Sequence, residues 1–246
     1  TEEDRPKASE AMQLFKEANR MLNQLDAVYQ THGVVNIMDA NADGDDLLLN
    51  GKRFPLLRQQ AAKLKKDDPF LCLSDFVRPL SSGITDKIGA FATTVDAEME
   101  QLYAEDDYKR MLVQTLSDRL AEATAEKLHE DVRKKLWGYA PDENLSVKDL
   151  HNEKYQGIRP AVGYPSLPDQ SINFLLDELL DMKQIGISLT ENGMMKPHAS
   201  VCGLMFAHPA SRYFSIGKIG EDQLADYAAR RGMSIEETKK FLAANL

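Results

Sequence analysis

Apolar residues recur at intervals of three and four along two long stretches of this chain, and short runs of β-branched and aromatic residues lie between them. Over residues 9–29, Ala11, Leu14, Phe15, Ala18, Met21, Leu22, Leu25 and Val28 fall on one helical face, with Ser9 placed to cap the start. Over residues 107–136, Leu112, Leu116, Leu120, Leu128, Val132 and Leu136 do the same, which predicts a long helix. Residues 55–66 read as a further helix with Pro55 near its first turn, and residues 169–185 as another, ended by Gly186.

Strands are expected at 34–38 and 47–49, joined by a hairpin loop over 41–46. Further strands are expected at 70–73, 87–94, 200–206 and 213–219, with Ser81, Ser82 and Gly83 marking a turn. Two short helices close the chain around Gly232, the second opened by Ser234 and Glu237 in capping-box spacing. Strands and helices do not alternate as a doubly wound fold requires. The pattern predicts an α+β fold over residues 1–246, a single domain with a twisted antiparallel sheet and one long central helix.

Composition narrows the function. The 246 residues carry 39 acidic and 30 basic side chains, a formal charge of -9 that disfavours a phosphate backbone as partner. The longest apolar runs fall far short of the ~18 residues that span a bilayer, and the charged start, residues 1–6, does not read as a secretory signal. No membrane or nucleic-acid partner is expected, and a cytoplasmic location is. Cys72 and Cys202 are too few for a disulfide framework and read as buried thiols.

Several motifs imitate known chemistry. Asp39, Asn41, Asp43 and Gly44 resemble the start of an EF-hand loop, but the position of its bidentate glutamate is Asn50, and a hairpin turn accounts for them. Glu126 and His129 have the spacing of half a di-iron site without a second copy. With Asp118, Glu122, Glu130 and Arg133 they read as a solvated helix face. The tail helices, with Arg230, Arg231, Lys239 and Lys240, suggest a helix-turn-helix that the acidic chain argues against. His151, His198 and His208 lack zinc-site spacing, and no nucleophile elbow or phosphate-binding loop is present.

One segment concentrates binding chemistry. Residues 155–165, YQGIRPAVGYP, hold a fixed cation, two prolines, two glycines and aromatic rings within a stretch of irregular sequence over 137–169. Arg159 can grip a carboxylate through two parallel bonds, Pro160 and Pro165 stiffen the backbone, Gly163 allows close approach, and Tyr164 offers a face to a cation or flat ring. An equally simple reading is a rigid surface loop whose arginine pairs with a neighbouring glutamate.

From about Ala11 to Leu246 the chain resembles the C-terminal activation domain of cobalamin-dependent methionine synthase. The resemblance is carried by LFKEANRML (14–22), IGAFA (88–92), DRLAEATAEKLHEDVRKKLWGYAPDENLS (118–146), YQGIRPAVGYP (155–165) and SRYFSIGKI (211–219). It implies a helmet-like, C-shaped fold and a site for S-adenosylmethionine at the Arg-x-x-x-Gly-Tyr motif, which falls on Arg159, Gly163 and Tyr164. By the same resemblance Arg159 takes the methionyl carboxylate, backbone near Ala161 contacts the adenosyl part, and Tyr164 faces the corrin. Tyr213, Phe214 and Glu122 match further positions lining that site.

The implied activity is repair: reductive methylation of cob(II)alamin to methylcobalamin, with no catalytic acid or base and an electron from a flavodoxin or flavoprotein reductase. Cobalamin is held mainly by another module of such an enzyme, which is the docking partner, and zinc belongs to a further module, so this piece alone is not expected to make methionine. The resemblance further implies that a family aspartate holding the methionyl amino group precedes Thr1, so reduced or lost S-adenosylmethionine binding and some uncovered apolar surface are expected in this chain. The alternative is a docking domain for a corrinoid protein or flavodoxin that keeps the fold and binds no S-adenosylmethionine.

Overall fold

The structure, a computed structural model, describes residues 5–60 and 68–246. Its centre is a five-stranded antiparallel sheet in the order β3-β2-β1-β4-β7. The strands are β1 (Thr31–Asp43), β2 (Asp46–Leu49), β3 (Lys52–Pro55), β4 (Asp86–Val95) and β7 (Ser200–Met205), while β5 (Ser188–Leu189) and β6 (Met195–Lys196) form a separate small ribbon. The helices are α1 (Arg5–Asp26), α2 (Asp107–Asp131), α3 (Val147–His151), α4 (Ile172–Leu180), α5 (Glu221–Arg231) and α6 (Ile235–Phe241). The expected α+β architecture with an antiparallel sheet and a long helix is the one observed.

The expected hairpin is tighter than the sequence suggested. Strand β1 runs through Asp43, which pairs with Asp46, so only Gly44 and Asp45 form the turn and Gly44 takes the positive φ it needs. Strand β4 is buried from Ile88 onward because both sheet faces are covered. Ile88, Ala90 and Ala92 join Met38, Ala40, Cys202 and Leu204 beneath α4, through Ile172, Leu176 and Leu180. Phe91 and Met205, one residue out of phase, face Ala125 of α2 and Val132 just beyond its end.

Helix α2 lies close to the sheet through small side chains. Ser117, Ala121 and Ala125 recur every fourth residue on its buried face, and the Thr93 hydroxyl donates to the Ala121 carbonyl at 3.0 Å across the interface. The same spacing then carries His129 and Arg133 inward, each with no exposed surface. The solvated stripe expected at these two positions is therefore corrected. Leu136, expected on the core face, is 56% exposed, because residues Val132–Leu136 form a wider π turn that changes the helix phase.

Other expectations are corrected. Residues 55–60 are not helical: Pro55 ends edge strand β3, and Leu56 and Leu57 enter different cores, as successive residues of an extended chain do. Arg58 there bridges Asp45 and Asp75, and the rest of that expected helix lies in 61–67, outside the described residues. Residues 213–219 form no strand, since their backbone bonds go to Pro165, Ser166 and the chain end. The 70–73 stretch contributes one bridge, Cys72 to Arg58, before a short 3-10 turn, Leu73–Phe76. Helix α4 is shorter than expected: left-handed Asp181 separates it from a 3-10 turn that Gly186 closes at φ 84°.

Cleft between helix and loop

The irregular segment of residues 158–162 extends the sheet beyond β7. Ile158 exchanges both backbone bonds with Phe206, the Leu204 amide donates to Pro160, and the Val162 amide donates to Cys202, at 2.9–3.1 Å. Gly203 makes this approach possible, because a Cβ there would meet the Pro160 carbonyl oxygen at 2.2 Å. The alternation of an extended chain then sorts the side chains. Ile158 joins the core on the α4 side, whereas Arg159 and Ala161 open onto a cleft against α2.

That cleft has a volume of about 930 Å³. Helix α2 supplies Glu122 and Glu126, one turn apart; the loop supplies Arg159, Ala161 and Tyr164; and the later segment supplies Tyr213 and Phe214. Six of the seven residues singled out from the sequence thus meet on one cavity. Gly163 does not line it. Its role is the turn instead: at φ 86° its amide donates to Leu167, and the Leu167 amide returns to Tyr164. Tyr164 is left 54% exposed beside the cavity.

Arg159 is held from several sides. Its Nη2 donates to Glu126, its Nη1 donates to the Tyr155 hydroxyl at 3.1 Å and to His129 Nδ1 at 3.4 Å, and its backbone amide donates to the Tyr213 hydroxyl at 3.0 Å. Burial opposes its charge, but Tyr155, Tyr213 and Glu126 more than offset this, so its pKa rises and it remains a cation. His129 is driven the other way, well below its ordinary 6.5, by burial and by Arg133 and Arg159. It is a neutral imidazole. Behind it the Tyr155 ring meets His129 edge-on at 5.1 Å and lies 4.5 Å from the guanidinium of Arg133, which is itself paired with Glu143 at 2.7 Å.

Tyr155, Glu126 and His129 were not singled out as site residues. The usable signal was the small-residue stripe of α2, which shows that this face packs closely and carries the next members of the row indoors. Glu122 is half exposed and paired with Arg119 at 2.5 Å. His151 is at the cleft, while His198 and His208 are outside it. Asp43, read against an EF-hand, pairs with Arg53, and Asn41 donates to the carbonyls of Arg78 and Ile84. The tail arginines turn inward: Arg230 pairs with Asp46 and Asp226, and Arg231 with Asp169.

The family model for the activation domain of vitamin B12 dependent methionine synthase matches residues 1–232. The chain belongs to this family. The activation domain is also similar to a solved structure of the MetH reactivation domain bound to AdoHcy, with 46% identity and a TM-score of 0.89 over 97% of this chain and 78% of the other. It is therefore a module of a methyltransferase family, and its curled antiparallel sheet and helices are those of the reactivation domain. No helix among the described residues of the activation domain is long and apolar enough to cross a membrane.

Proposed function

We propose that residues 1–246 act as one S-adenosylmethionine-binding unit that supports reductive methylation of cobalamin held by a neighbouring module. The observation that carries this reading is Arg159: a largely buried cation, fixed by four partners, on the wall of a cleft that also presents Tyr164, Tyr213, Phe214 and Ala161, with Glu122 and Glu126 on the facing helix. A cation in a mostly apolar, aromatic cavity suits a ligand with a carboxylate at one end and a flat ring at the other. The relative's AdoHcy is such a ligand, and S-adenosylmethionine differs from it by one methyl group and a positive sulfur.

In this reading Arg159 takes the carboxylate, the Ala161 backbone and Phe214 contact the adenosyl part, and Tyr164 and Tyr213 flank the reactive end. Gly163 sets the turn that presents Tyr164. Glu122 lines the opposite wall and offers negative charge to the sulfonium. The bound ligand supplies an electrophilic methyl group, which a reduced cobalt centre can take while the sulfur retains its electron pair. The protein supplies position and exclusion of water, so no side chain is assigned as acid or base. The corrinoid module is the docking partner, and a flavodoxin or flavoprotein reductase the electron source.

Calorimetric titration of the chain with S-adenosylmethionine tests the reading. One site is expected, and Arg159→Ala should raise Kd more than about tenfold, as loss of a charge-assisted pair implies. Absence of binding by the full-length protein, or an unchanged Kd in that variant, overturns it and leaves a docking domain.

A further inference from the structure

The hydrogen bonds that hold Arg159 are distributed unevenly around its guanidinium. Nη1 is occupied twice, by the Tyr155 hydroxyl and His129 Nδ1, and Nη2 once, by Glu126. Among the described residues none uses Nε. A side-on carboxylate needs the edge formed by Nε–H and one Nη2–H; Nε is unused, and Nη2 carries two hydrogens of which Glu126 takes one. His129 can accept from Arg159 only at Nδ1, so its proton sits on Nε2, where it faces the Tyr139 hydroxyl at 3.4 Å. The Tyr139 hydroxyl in turn donates to the Gln156 carbonyl at 3.4 Å, three residues before Arg159 on the same loop. Gly157 permits this arrangement, because a Cβ there would meet the Phe206 carbonyl oxygen at 2.3 Å and the Tyr139 hydroxyl at 2.8 Å.

We infer that Glu126 and His129 are positioning residues that fix the plane of the Arg159 guanidinium and present its Nε/Nη2 edge to the ligand carboxylate. The inference rests on the reading that Arg159 binds that carboxylate. Glu126 is not placed as an ordinary structural partner: its Oε2 is used by Arg159, while its Oε1 is buried with no hydrogen bond. A salt bridge serving stability alone would gain by engaging both oxygens. Here the single contact leaves half of the arginine fork free. Tyr155 completes the clamp as a donor-accepting hydroxyl whose ring is also packed on His129 and near Arg133.

The test compares two ligands across a set of variants, with Kd measured by calorimetry on the full chain. One ligand is S-adenosylmethionine and the other is its decarboxylated counterpart, which keeps the adenosine, the sulfonium and the amine. Glu126→Gln and His129→Phe are each expected to weaken S-adenosylmethionine about tenfold and the decarboxylated ligand less than about twofold. His129→Gln, which can accept from Arg159 and donate to Tyr139, should restore most of the affinity that His129→Phe loses. In an Arg159→Ala background neither change should have a further effect. If Arg159→Ala discriminates between the ligands but Glu126→Gln and His129→Phe weaken both equally or neither, the positioning role is overturned while the Arg159 reading stands. If Arg159→Ala itself fails to discriminate, the role of Arg159 falls, and this inference with it.

Discussion

Arg159 and Asp169 are two largely buried charges ten residues apart on one connection, and they are satisfied in opposite ways. Asp169 accepts from the Tyr227 hydroxyl at 2.7 Å and from the amide and hydroxyl of Ser171 at 2.8 Å, with the buried Arg231 at 3.5 Å. Every lone pair that matters is spent inside the chain. Arg159 is held by Glu126 and by longer bonds to His129 and Tyr155, leaves its Nε unused, and borders a large cavity. The difference teaches that burial alone does not mark a functional charge. Short bonds that saturate Asp169 lock α5 to the start of α4, whereas an unused donor on Arg159 leaves capacity for a ligand.

The comparison can be broken most decisively at Asp169. Asp169→Ala removes three accepted bonds and leaves Arg231 without its buried partner, so a loss of about 3–5 kcal/mol is expected in urea denaturation. A loss below about 1 kcal/mol would mean that this cluster is not the structural lock described. Arg159→Ala should do the reverse. Glu126 keeps about a third of its side chain in solvent, so stability is expected to change by on the order of 1 kcal/mol or less, while ligand binding weakens by roughly 1.5–3 kcal/mol.

Gly203→Ala sharpens the contrast, because the added methyl collides with backbone rather than with a movable side chain. It should push residues 158–162 off β7, costing about 1–3 kcal/mol of stability and weakening the ligand as well. A variant with normal Tm and normal Kd would show that the loop does not depend on this contact. The smallest effect concerns acid. His129 is depressed in the folded chain, so below its ordinary 6.5 the unfolded chain takes up a proton that the folded one refuses. Stability is present above pH 6.5 and falls as the pH drops through the folded value, by one proton's worth of slope that His129→Phe should remove. Burial first, then Arg133 and Arg159, set the depression, and the Tyr139 hydroxyl and the Tyr155 ring face the same imidazole.

What was legible in the sequence follows from the range of the forces involved. Strands β1, β4 and β7 and helix α2 announce themselves through local alternation and periodicity, and Gly44, Gly186 and Gly232 mark turns because only backbone freedom is at stake there. The site residues were legible chiefly because the loop around Arg159 is chemically distinctive. Residues 55–60 misled because Leu56 and Leu57 satisfy a helical pattern locally, while distant partners, Asp45 and Asp75 for Arg58, decide the conformation. His129 and Arg133 misled for the same reason. A polar pattern on one helix cannot show that Glu143, Tyr155 and Arg159 will arrive from elsewhere to cover it.

The pairing of residues 158–162 with β7 has a consequence for the state of the protein in the cell. An unpaired strand at the border of a sheet is a template for other chains, and the ligand loop is what covers this one. Damage to the pairing of that loop, as at Gly203, therefore exposes a ladder of free amides and carbonyls, so variants that lose binding by displacing its backbone should also be the ones that self-associate. Solubility and ligand recognition are written into the same five residues.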